Sequence, residues 1–512
     1  MFEAAKLKRK VSKADFVEQE SAMRTQLLEM QRELAEKGKT KIVIIIAGVE
    51  GAGKGEVVNR LNEWMDARGI ATYAFWEETD EERDHPRYWR FWRLLPPVGT
   101  MAIFFGGWYQ RPLEERVLGH WDDAAMSNEF RRIAGIERML SEDGALVLKF
   151  WYHMAEKDQL KRLKALSRDD RSRWKMLPRK KKFSAHYQDF EQIAEHLIRR
   201  TDYGFAPWYI IEATDRRYRD LTTARTILNA ARKRIAEPDG RIQMQDDTPN
   251  AEPDAPLSEQ AQMTILDRVD MGQALSKGNY RIQLAALQDE INDLVWEAYN
   301  NKLGTVLVFE GWDAGGKGGA IRRFTNAIDA RLYRYVSIAA PSDEERAHQY
   351  LWRFWRHVPK AGRITIFDRS WYGRVLVERV EGFASEHEWR RAYNEINDFE
   401  GQLIDNGTLV LKFWLHIDKE EQLRRFKERE LISYKQHKIT EEDWRNREKW
   451  DDYKHAVNEM VVRTSTNLAP WIIVPGNDKK RARIEVLTTI RDHLKRHIKN
   501  FQKSQPKNKA SK

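Results

Sequence analysis

The chain repeats one glycine-rich pattern at a spacing of 263 residues. The string Gly48-Val-Glu-Gly-Ala-Gly-Lys-Gly returns as Gly311-Trp-Asp-Ala-Gly-Gly-Lys-Gly, and each copy lies between an apolar, β-branched run and a stretch with helical character. A strand, a glycine-rich turn and a helix are the context of a phosphate-binding loop. The strings WRFWR, WY, LKFW and APW recur at the same offset without insertion. This constant register predicts two copies of one domain, each long enough for its own core.

The copies are joined by a segment of different composition. Residues Glu237–Leu257 contain four prolines among Asp, Gln and Asn, which is typical of a linker. Ahead of each phosphate loop, apolar residues recur every three or four positions and predict helices over roughly Asp15–Lys37 and Asn279–Asn301. The predicted organisation is a first copy in residues 1–236, a linker in 237–270, a second copy in 271–500 and a basic, disordered tail in 501–512.

Composition limits the class of protein and its partners. The net charge of +10 favours an acidic partner such as nucleic acid, polyphosphate or a nucleotide, although a well-solvated surface would give the same balance. The absence of cysteine excludes disulfides and thiolate chemistry, and it fits a reducing compartment. Residues Met1–Lys13 lack the apolar core of a secretion signal, and the apolar run Ile42–Val49 is too short to span a bilayer. We therefore expect a cytoplasmic protein without a membrane partner, and association with further copies of itself stays open.

The second copy has the residues that a phosphate site requires. Glycines in its loop let consecutive backbone N–H groups surround a phosphate, and the helix that follows adds its positive end. Lys317 supplies an ammonium group for the terminal phosphates. The position that usually holds a Mg²⁺-binding Ser or Thr is Gly318, so Asp313 inside the loop is the candidate metal ligand.

A second candidate acid ends the next apolar run. The string Ile364-Thr-Ile-Phe-Asp368 has the pattern of a strand whose tip carries a Walker-B acid. Asp313 and Asp368 would meet at the carboxyl edge of a parallel sheet, and two carboxylates with phosphate oxygens suit Mg²⁺. The alternative is that Asp368 only caps a helix.

Cationic side chains are concentrated around these acids. Arg369 follows the second acid directly, and the basic run Arg424–Arg429 follows the predicted strand Thr408–His416. Guanidinium groups stabilise the charge of a transferring phosphoryl group, and the basic run is consistent with a closing lid or, alternatively, with a solvated helix face. For the WRFWR string, core packing is favoured over stacking on a nucleobase.

The first copy lacks part of this set. It keeps Lys54, but Glu50 replaces the loop aspartate and Phe105-Gly106-Gly107 replaces the Asp-Arg-Ser string. We therefore predict that the first copy binds phosphate weakly or is structural, and that it does not catalyse.

In combination, the loop from Gly311, the WRFWR string, Phe367-Asp-Arg-Ser-Trp-Tyr372 and Ala469-Pro-Trp471 closely resemble the polyphosphate kinase 2 family. The resemblance covers the whole of each half, and the fusion of two domains resembles the tandem members, which act as polyphosphate:AMP phosphotransferases. It implies two tandem P-loop kinase-like α/β/α three-layer domains, each with a parallel sheet and a helical lid. It also implies inorganic polyphosphate as donor, AMP as acceptor and Mg²⁺ as cofactor.

The resemblance also assigns roles to individual residues. It implies that Asp313 binds metal and orients the acceptor phosphate, that Lys317 is the loop lysine, and that Asp368 and Arg369 are the second acid and its arginine. The predicted catalytic residues are Asp313, Lys317, Asp368 and Arg369, with Asp313 and Asp368 as metal ligands. The predicted phosphate-contacting residues are Gly311, Gly315, Gly316, Lys317, Gly318, Arg322, Arg374, Glu378, Arg424, Arg425 and Arg429.

Three other functions remain open at this stage. Polyphosphate could phosphorylate a nucleoside diphosphate, or ATP could replace polyphosphate as donor in a nucleotide kinase. A regulatory or nucleic-acid-binding NTPase-like module is the third, but the sequence has no helix-turn-helix or RNA-binding signature, so we expect no nucleic-acid partner.

Overall fold

The computed structural model of the protein describes residues 1–168, 187–237, 264–431 and 441–504. These residues form two compact units, each interrupted in sequence. The first unit is drawn from Met1–Glu78, Arg90–Pro249 and Ser342–Trp352, and the second from Thr79–Trp89, Asn250–Pro341 and Arg353–Lys512.

Each unit is built on a five-stranded sheet in which every pair of neighbouring strands is parallel. The strand order is β2-β3-β1-β4-β5 in the first sheet and β7-β8-β6-β9-β10 in the second. The first sheet contains β1 Lys41–Gly48, β2 Ile70–Ala74, β3 Met101–Phe105, β4 Ala145–His153 and β5 Trp208–Glu212, and the second contains β6 Thr305–Gly311, β7 Tyr333–Ser337, β8 Ile364–Asp368, β9 Leu409–His416 and β10 Trp471–Pro475.

Helices connect the strands, as parallel pairing requires. The first half of the sequence contains α1 Lys13–Lys37, α2 Lys54–Trp64, α3 Asp80–Arg83, α4 Trp89–Trp92, α5 Gln110–Val117, α6 Asp123–Glu142, α7 Glu156–Arg168, α8 Tyr187–Thr201 and α9 Arg216–Ala236. The second half contains α10 Lys277–Asn300, α11 Lys317–Thr325, α12 Asp343–Arg346, α13 Trp352–Trp355, α14 Val377–Val380, α15 Glu386–Asp405, α16 Lys419–Glu430, α17 Glu441–Glu448, α18 Trp450–Thr464 and α19 Lys479–Ser504. The predicted parallel α/β class is confirmed.

The apolar runs ahead of the phosphate loops form the central strands. In β1 the side chains from Ile42 to Ile45 are fully buried, because a parallel sheet covered by helices is buried on both faces. The long helices predicted ahead of the loops are α1 and α10, which begin after Ser12 and Ser276; both serine hydroxyls accept a hydrogen bond from the first turn. In α10, Leu287, Ile291 and Val295 join the core of the second sheet.

The recurring tryptophan strings are part of the core. In the WRFWR string of the second half, Phe354 and Trp355 are buried, and Phe354 packs edge-to-face on Trp371 with ring centroids 5.7 Å apart. This confirms the core-packing interpretation over a nucleobase platform.

Two predicted boundaries differ from the structure. Helix α19 continues to Ser504, so the first four residues of the predicted disordered tail are helical, because the apolar face of α19 packs on the core as far as Phe501. Most of the predicted linker lies outside the described residues, but Leu266 is buried and its backbone N–H donates to Asn458 Oδ1 at 3.3 Å, so the end of the linker packs on α18. Within the described part of the chain, no helix is long and apolar enough to cross a membrane.

Candidate active site

The phosphate loop of the second half joins the central strand β6 to α11. Gly311 has a φ of 147°, and a Cβ atom there would lie 2.5 Å from the carbonyl oxygen of Leu415, so only glycine fits. Gly316 caps α11 in the left-handed conformation, and Lys317 is the first helical residue. The loop therefore ends at the positive end of a helix dipole, which attracts phosphate.

Lys317 lies across this loop. Its Nζ donates to the carbonyl oxygen of Gly311 at 2.7 Å. In the first half, Lys54 Nζ donates to the carbonyl oxygen of Gly48 at 2.6 Å. The two loops are therefore folded alike, and the difference between the halves lies in the side chains around them.

Asp313 is fixed by side chains from outside the loop. Arg369 Nη2 donates to Asp313 Oδ1 at 3.3 Å, and Asn446 Nδ2 donates to Oδ2 at 3.0 Å. Gln422 Nε2 donates to the backbone carbonyl of Asp313 at 3.2 Å. Helix α17 thus binds the carboxylate and helix α16 the backbone of Asp313. Neither Gln422 nor Asn446 was predicted from the sequence to belong to the site.

Asp368 ends β8 and lies beside Phe309 of the central strand. Its Oδ2 accepts a hydrogen bond from the Tyr335 hydroxyl at 2.8 Å. The next residue, Arg369, has a φ of 62°, and the residue at the same register in the first half is Gly106, with a φ of 88°. A non-glycine residue in this region costs on the order of 1 kcal/mol, and such strain is concentrated at functional sites. The second half therefore carries this strain at Arg369, where the first half has a glycine.

Arg369 lies within electrostatic reach of both predicted acids. Partial burial lowers its pKa, but the carboxylates of Asp313, Glu310, Glu442 and Asp368 outweigh this effect and leave the pKa raised. The two acids otherwise have different hydrogen-bond partners. The guanidinium of Arg369 therefore binds the loop acid directly and interacts with Asp368 only through its charge.

Glu310 is a site residue that the sequence did not reveal. It precedes Gly311 on β6, it is buried, and its Oε1 accepts a hydrogen bond from Ser370 Oγ at 2.8 Å. Burial raises the pKa of Glu310, and nearby Lys317 opposes this shift. Its position in the sequence could have indicated a role, because a carboxylate ends the apolar run in the second copy where the first copy has Ala47.

Arg425 binds the main-chain carbonyl groups of the phosphate loop. This arginine is buried, and its Nη1 donates to the carbonyl oxygens of Ala314 and Gly315 at 2.9 and 3.1 Å. Its Nη2 donates to the carbonyl oxygen of Gly476 at 2.6 Å. The predicted contact between Arg425 and phosphate is therefore replaced by an indirect role, because the donors of this side chain point at main-chain acceptors.

The other predicted cations lie nearer to solvent. Arg424 is 60% exposed and pairs with Glu421 at 2.6 Å, and Arg322 is exposed on α11. Arg429, near the end of α16, is partly exposed. Residues 432–440 lie outside the described residues, so a closing lid stays a prediction.

Arg374 and Glu378, two further predicted phosphate contacts, interact with each other. Arg374 Nε lies 3.2 Å from Glu378 Oε2, and both side chains are largely buried. Such a pair fixes the orientation of the guanidinium. Contact of Arg374 or Glu378 with phosphate remains a prediction.

The acids fit a divalent ion that binds together with phosphate. Among the described residues, no group of three or more His, Asp or Glu side chains could hold a metal alone. Mg²⁺ is usually bound by one or two carboxylates and by substrate phosphates. Asp313 at the loop and Asp368 at the next strand end meet that requirement.

The first half lacks the polar and charged side chains that surround the phosphate loop of the second half. The registers of Glu310, Asp368, Arg369 and Ser370 are occupied by Ala47 and by Phe105-Gly106-Gly107, so both members of the buried Ser–Glu hydrogen bond are absent together with the acid and the arginine. In the loop, Glu50 lies 3.7 Å from Lys54. The phosphate loop is thus preserved without the side chains that surround it in the second half.

Comparison with known proteins agrees with this architecture. The sequence profile of polyphosphate kinase 2 matches residues 10–238 and 274–502, which is most of each half. The chain belongs to the polyphosphate kinase 2 family. A protein of Pseudomonas aeruginosa named Polyphosphate:AMP phosphotransferase is 49% identical, with 96% of this chain and 98% of the relative aligned. A protein of the same name from Pseudomonas syringae pv. tomato is 46% identical, with 97% of this chain and 98% of the relative aligned.

A solved structure is similar over the same extent. The crystal structure of a protein from Pseudomonas aeruginosa assigned to polyphosphate kinase 2 superposes with a TM-score of 0.86 at 46% identity. The match covers 98% of this chain and all of the other. The tandem arrangement of two P-loop kinase-like domains predicted from the sequence is therefore confirmed.

Proposed function

We propose that this member of the polyphosphate kinase 2 family transfers the terminal phosphoryl group of inorganic polyphosphate to AMP and releases ADP, using the site in its second half and Mg²⁺. The observation that supports the proposal is the ion pair between Asp313 and Arg369, beside the loop of Lys317 and at the sheet edge where β8 ends in Asp368. The choice of AMP rests on the relatives that align with nearly the whole chain, because their printed names specify this acceptor.

The chemistry requires positioning and charge neutralisation rather than a general base. The phosphate of AMP is already ionised near neutral pH, so no proton has to be removed before it attacks. The barrier arises from bringing two polyanions together, and phosphoryl-transfer sites lower it by alignment and electrostatic stabilisation.

Each residue has a role consistent with its geometry. The loop amides and Lys317 hold the donor end, while Arg369 is placed beside the loop acid to stabilise charge on the transferring group. Asp313 and Asp368 would hold Mg²⁺, which supplies charge neutralisation for phosphate oxygens when bound. Arg425 keeps the loop backbone in its binding conformation.

A product analysis separates this activity from its alternatives. Purified protein is incubated with each nucleoside mono- and diphosphate, with either polyphosphate or ATP as donor, and nucleotides are separated by chromatography. We expect ADP from AMP and polyphosphate as the fastest reaction. Faster formation of ATP from ADP would favour the diphosphate alternative, and faster transfer from ATP would favour a conventional nucleotide kinase.

Removal of divalent ions provides a separate test of the two acids. We expect a chelator to abolish transfer and added Mg²⁺ to restore it, because uncompensated phosphate charge keeps donor and acceptor apart. In Asp368→Asn, one carboxylate ligand is lost, so half-maximal activity should require at least about tenfold more Mg²⁺. Activity that is indifferent to chelation would contradict the assignment of these acids as metal ligands.

The buried hydrogen bond between Ser370 and Glu310 predicts a positioning effect. Loss of a partner that orients the residues of a metal site typically costs about 10- to 100-fold in activity. We expect Glu310→Ala and Ser370→Ala each to lower kcat by that amount, and the double variant to lose little more than the worse single variant, because each substitution removes the same hydrogen bond. Multiplied losses in the double variant would show that the two side chains act separately.

A further inference from the structure

The first unit contains a cleft at the edge of its sheet where its phosphate loop ends. About 80 Å³ of this cleft is reachable by the centre of a water molecule. Since one water needs roughly 10–15 Å³ by this measure, the cleft has room for several waters or for part of a flat ring. Its wall combines the loop residues Gly48, Glu50 and Lys54 with aromatic side chains.

Small residues at the registers of the second-half site help to open this space. Ala47 occupies the register of Glu310, and Gly106 occupies that of Arg369. Both residues line the cleft. The space therefore lies where the second half holds a buried carboxylate and a guanidinium.

The first half also has side chains that the second half does not. Trp76, at the register of Ala339, lines the cleft and is 54% exposed, and Phe105 replaces the acid at the end of the strand. Gln110 and Glu114 also line it and form a hydrogen bond of 2.9 Å, whereas their registers in the second half are Gly373 and Val377. Loss of catalytic residues alone would leave a cavity, but it would not add an exposed tryptophan and a polar pair.

A buried tryptophan completes the aromatic part of the wall. Trp151 on β4 is 1% exposed and lines the cleft together with Phe75, Phe105 and Phe190. Aromatic walls with a few polar groups are the usual composition of a site for a flat ring.

The loop of the cleft suits a single phosphate rather than a long polyanion. Lys54 makes the same hydrogen bond to its loop as Lys317 does, so the two loops are folded alike. The loop and the N-terminal end of α2 can therefore bind one anion. Beside the loop, Glu56 occupies the register of Gly319 and pairs with Arg162 at 2.6 Å and with Arg219 at 3.2 Å, so the charges of these two arginines are already partly neutralised. The registers of Arg369 and Arg322 hold Gly106 and Asn59, so these two guanidinium groups, predicted to act on the donor chain, have no equivalents.

We propose that the cleft of the first half binds a nucleoside monophosphate without a metal ion and without turnover. The base lies against Trp76 and Phe105, and the phosphate binds to the loop that ends at Lys54. The site goes beyond the proposed catalytic function, because binding there requires neither polyphosphate nor phosphoryl transfer.

The test is equilibrium binding of AMP to the full chain by calorimetry in the presence of a chelator and without polyphosphate. We expect two sites in the wild type, one of which is unaffected by Lys54→Ala and Trp76→Ala because it belongs to the second half. Alanine substitution of an aromatic residue that stacks on a base weakens binding by between about fivefold and a hundredfold. Trp76→Ala should therefore weaken the other site by that factor, and Ala47→Leu, which fills the cleft without adding charge, should abolish it.

Controls separate this site from the catalytic one and from general damage. Trp296→Ala removes another partly exposed tryptophan, on α10 in the second unit, and should leave both sites unchanged. Binding to a single site that neither Trp76→Ala nor Lys54→Ala weakens would overturn the proposal. Tighter binding of short-chain polyphosphate than of AMP at the Trp76-dependent site would also overturn it. Failure of the catalytic proposal would instead appear as absence of ADP formation, which this measurement does not use.

Discussion

Lys317→Ala is expected to form ADP from AMP and polyphosphate at least about a hundredfold more slowly than the matched variant Lys54→Ala. Removal of one group that stabilises charge in a transition state typically costs about 100- to 1,000-fold. Lys317 shares its loop with Asp313, whose carboxylate accepts a hydrogen bond from Arg369. The first half has Phe105 and Gly106 at the registers of Asp368 and Arg369. Initial rates at saturating polyphosphate would measure the difference.

The comparison is well matched because both lysines make the same structural contact. Each ammonium donates to the carbonyl oxygen of the first loop glycine, at 2.7 Å for Lys317 and 2.6 Å for Lys54. Loss of such a hydrogen bond costs about 0.5–1.5 kcal/mol, so both variants should remain folded and should melt at similar temperatures. Equal losses of rate in the two variants would contradict a single catalytic half.

The internal repeat explains why the fold could be predicted well. Because the two copies match at a constant offset of 263 residues, each strand, turn and helix of one copy should have a counterpart in the other. The two phosphate loops then identify the central strand of each sheet. The buried runs Ile42–Ile46 and Thr305–Phe309 then fall where a parallel sheet needs its most apolar strands. The boundaries were harder, because the end of α19 is decided by packing on distant residues rather than by local propensity.

The site was predictable only in part, because several of its contacts join residues that are distant in sequence. Tyr335 reaches Asp368 from the neighbouring strand, and Asn446 reaches Asp313 from a helix 133 residues further along the chain. No local pattern reports such pairs. Glu310 escaped notice because it reads as the polar end of a strand, and Arg425 was misjudged because a basic run does not show which side of a helix is buried.

The last prediction concerns a buried ion pair that supports the same half. Lys412 Nζ lies on β9 and donates to Glu400 Oε2 at 2.8 Å, to the Tyr372 hydroxyl at 2.9 Å and to the Thr464 carbonyl oxygen at 2.6 Å. Burial raises the pKa of Glu400 and lowers that of Lys412, while each charge opposes the shift of the other. The same arrangement occurs in the first half around Lys149, so it belongs to the fold rather than to catalysis.

Breaking such a pair from one side leaves an uncompensated buried charge, which costs about 3–5 kcal/mol. We therefore expect Glu400→Ala to reduce the free energy of unfolding of the second unit by that amount. The midpoint at which urea abolishes activity reports on this unit. The control Arg390→Ala removes a solvent-exposed pair with Glu386, and should cost less than about 1 kcal/mol.

Replacing both charges distinguishes the ion pair from simple loss of packing. In the double variant Glu400→Leu with Lys412→Met, no charge is left buried, so at least half of the stability lost in Glu400→Ala should return. If the double variant is less stable than Glu400→Ala, the hydrogen bonds to Tyr372 and Thr464 matter more than charge compensation. Either result would also hold for Lys149 and Glu137, since the first half repeats the contact with Glu137 Oε2 at 2.7 Å.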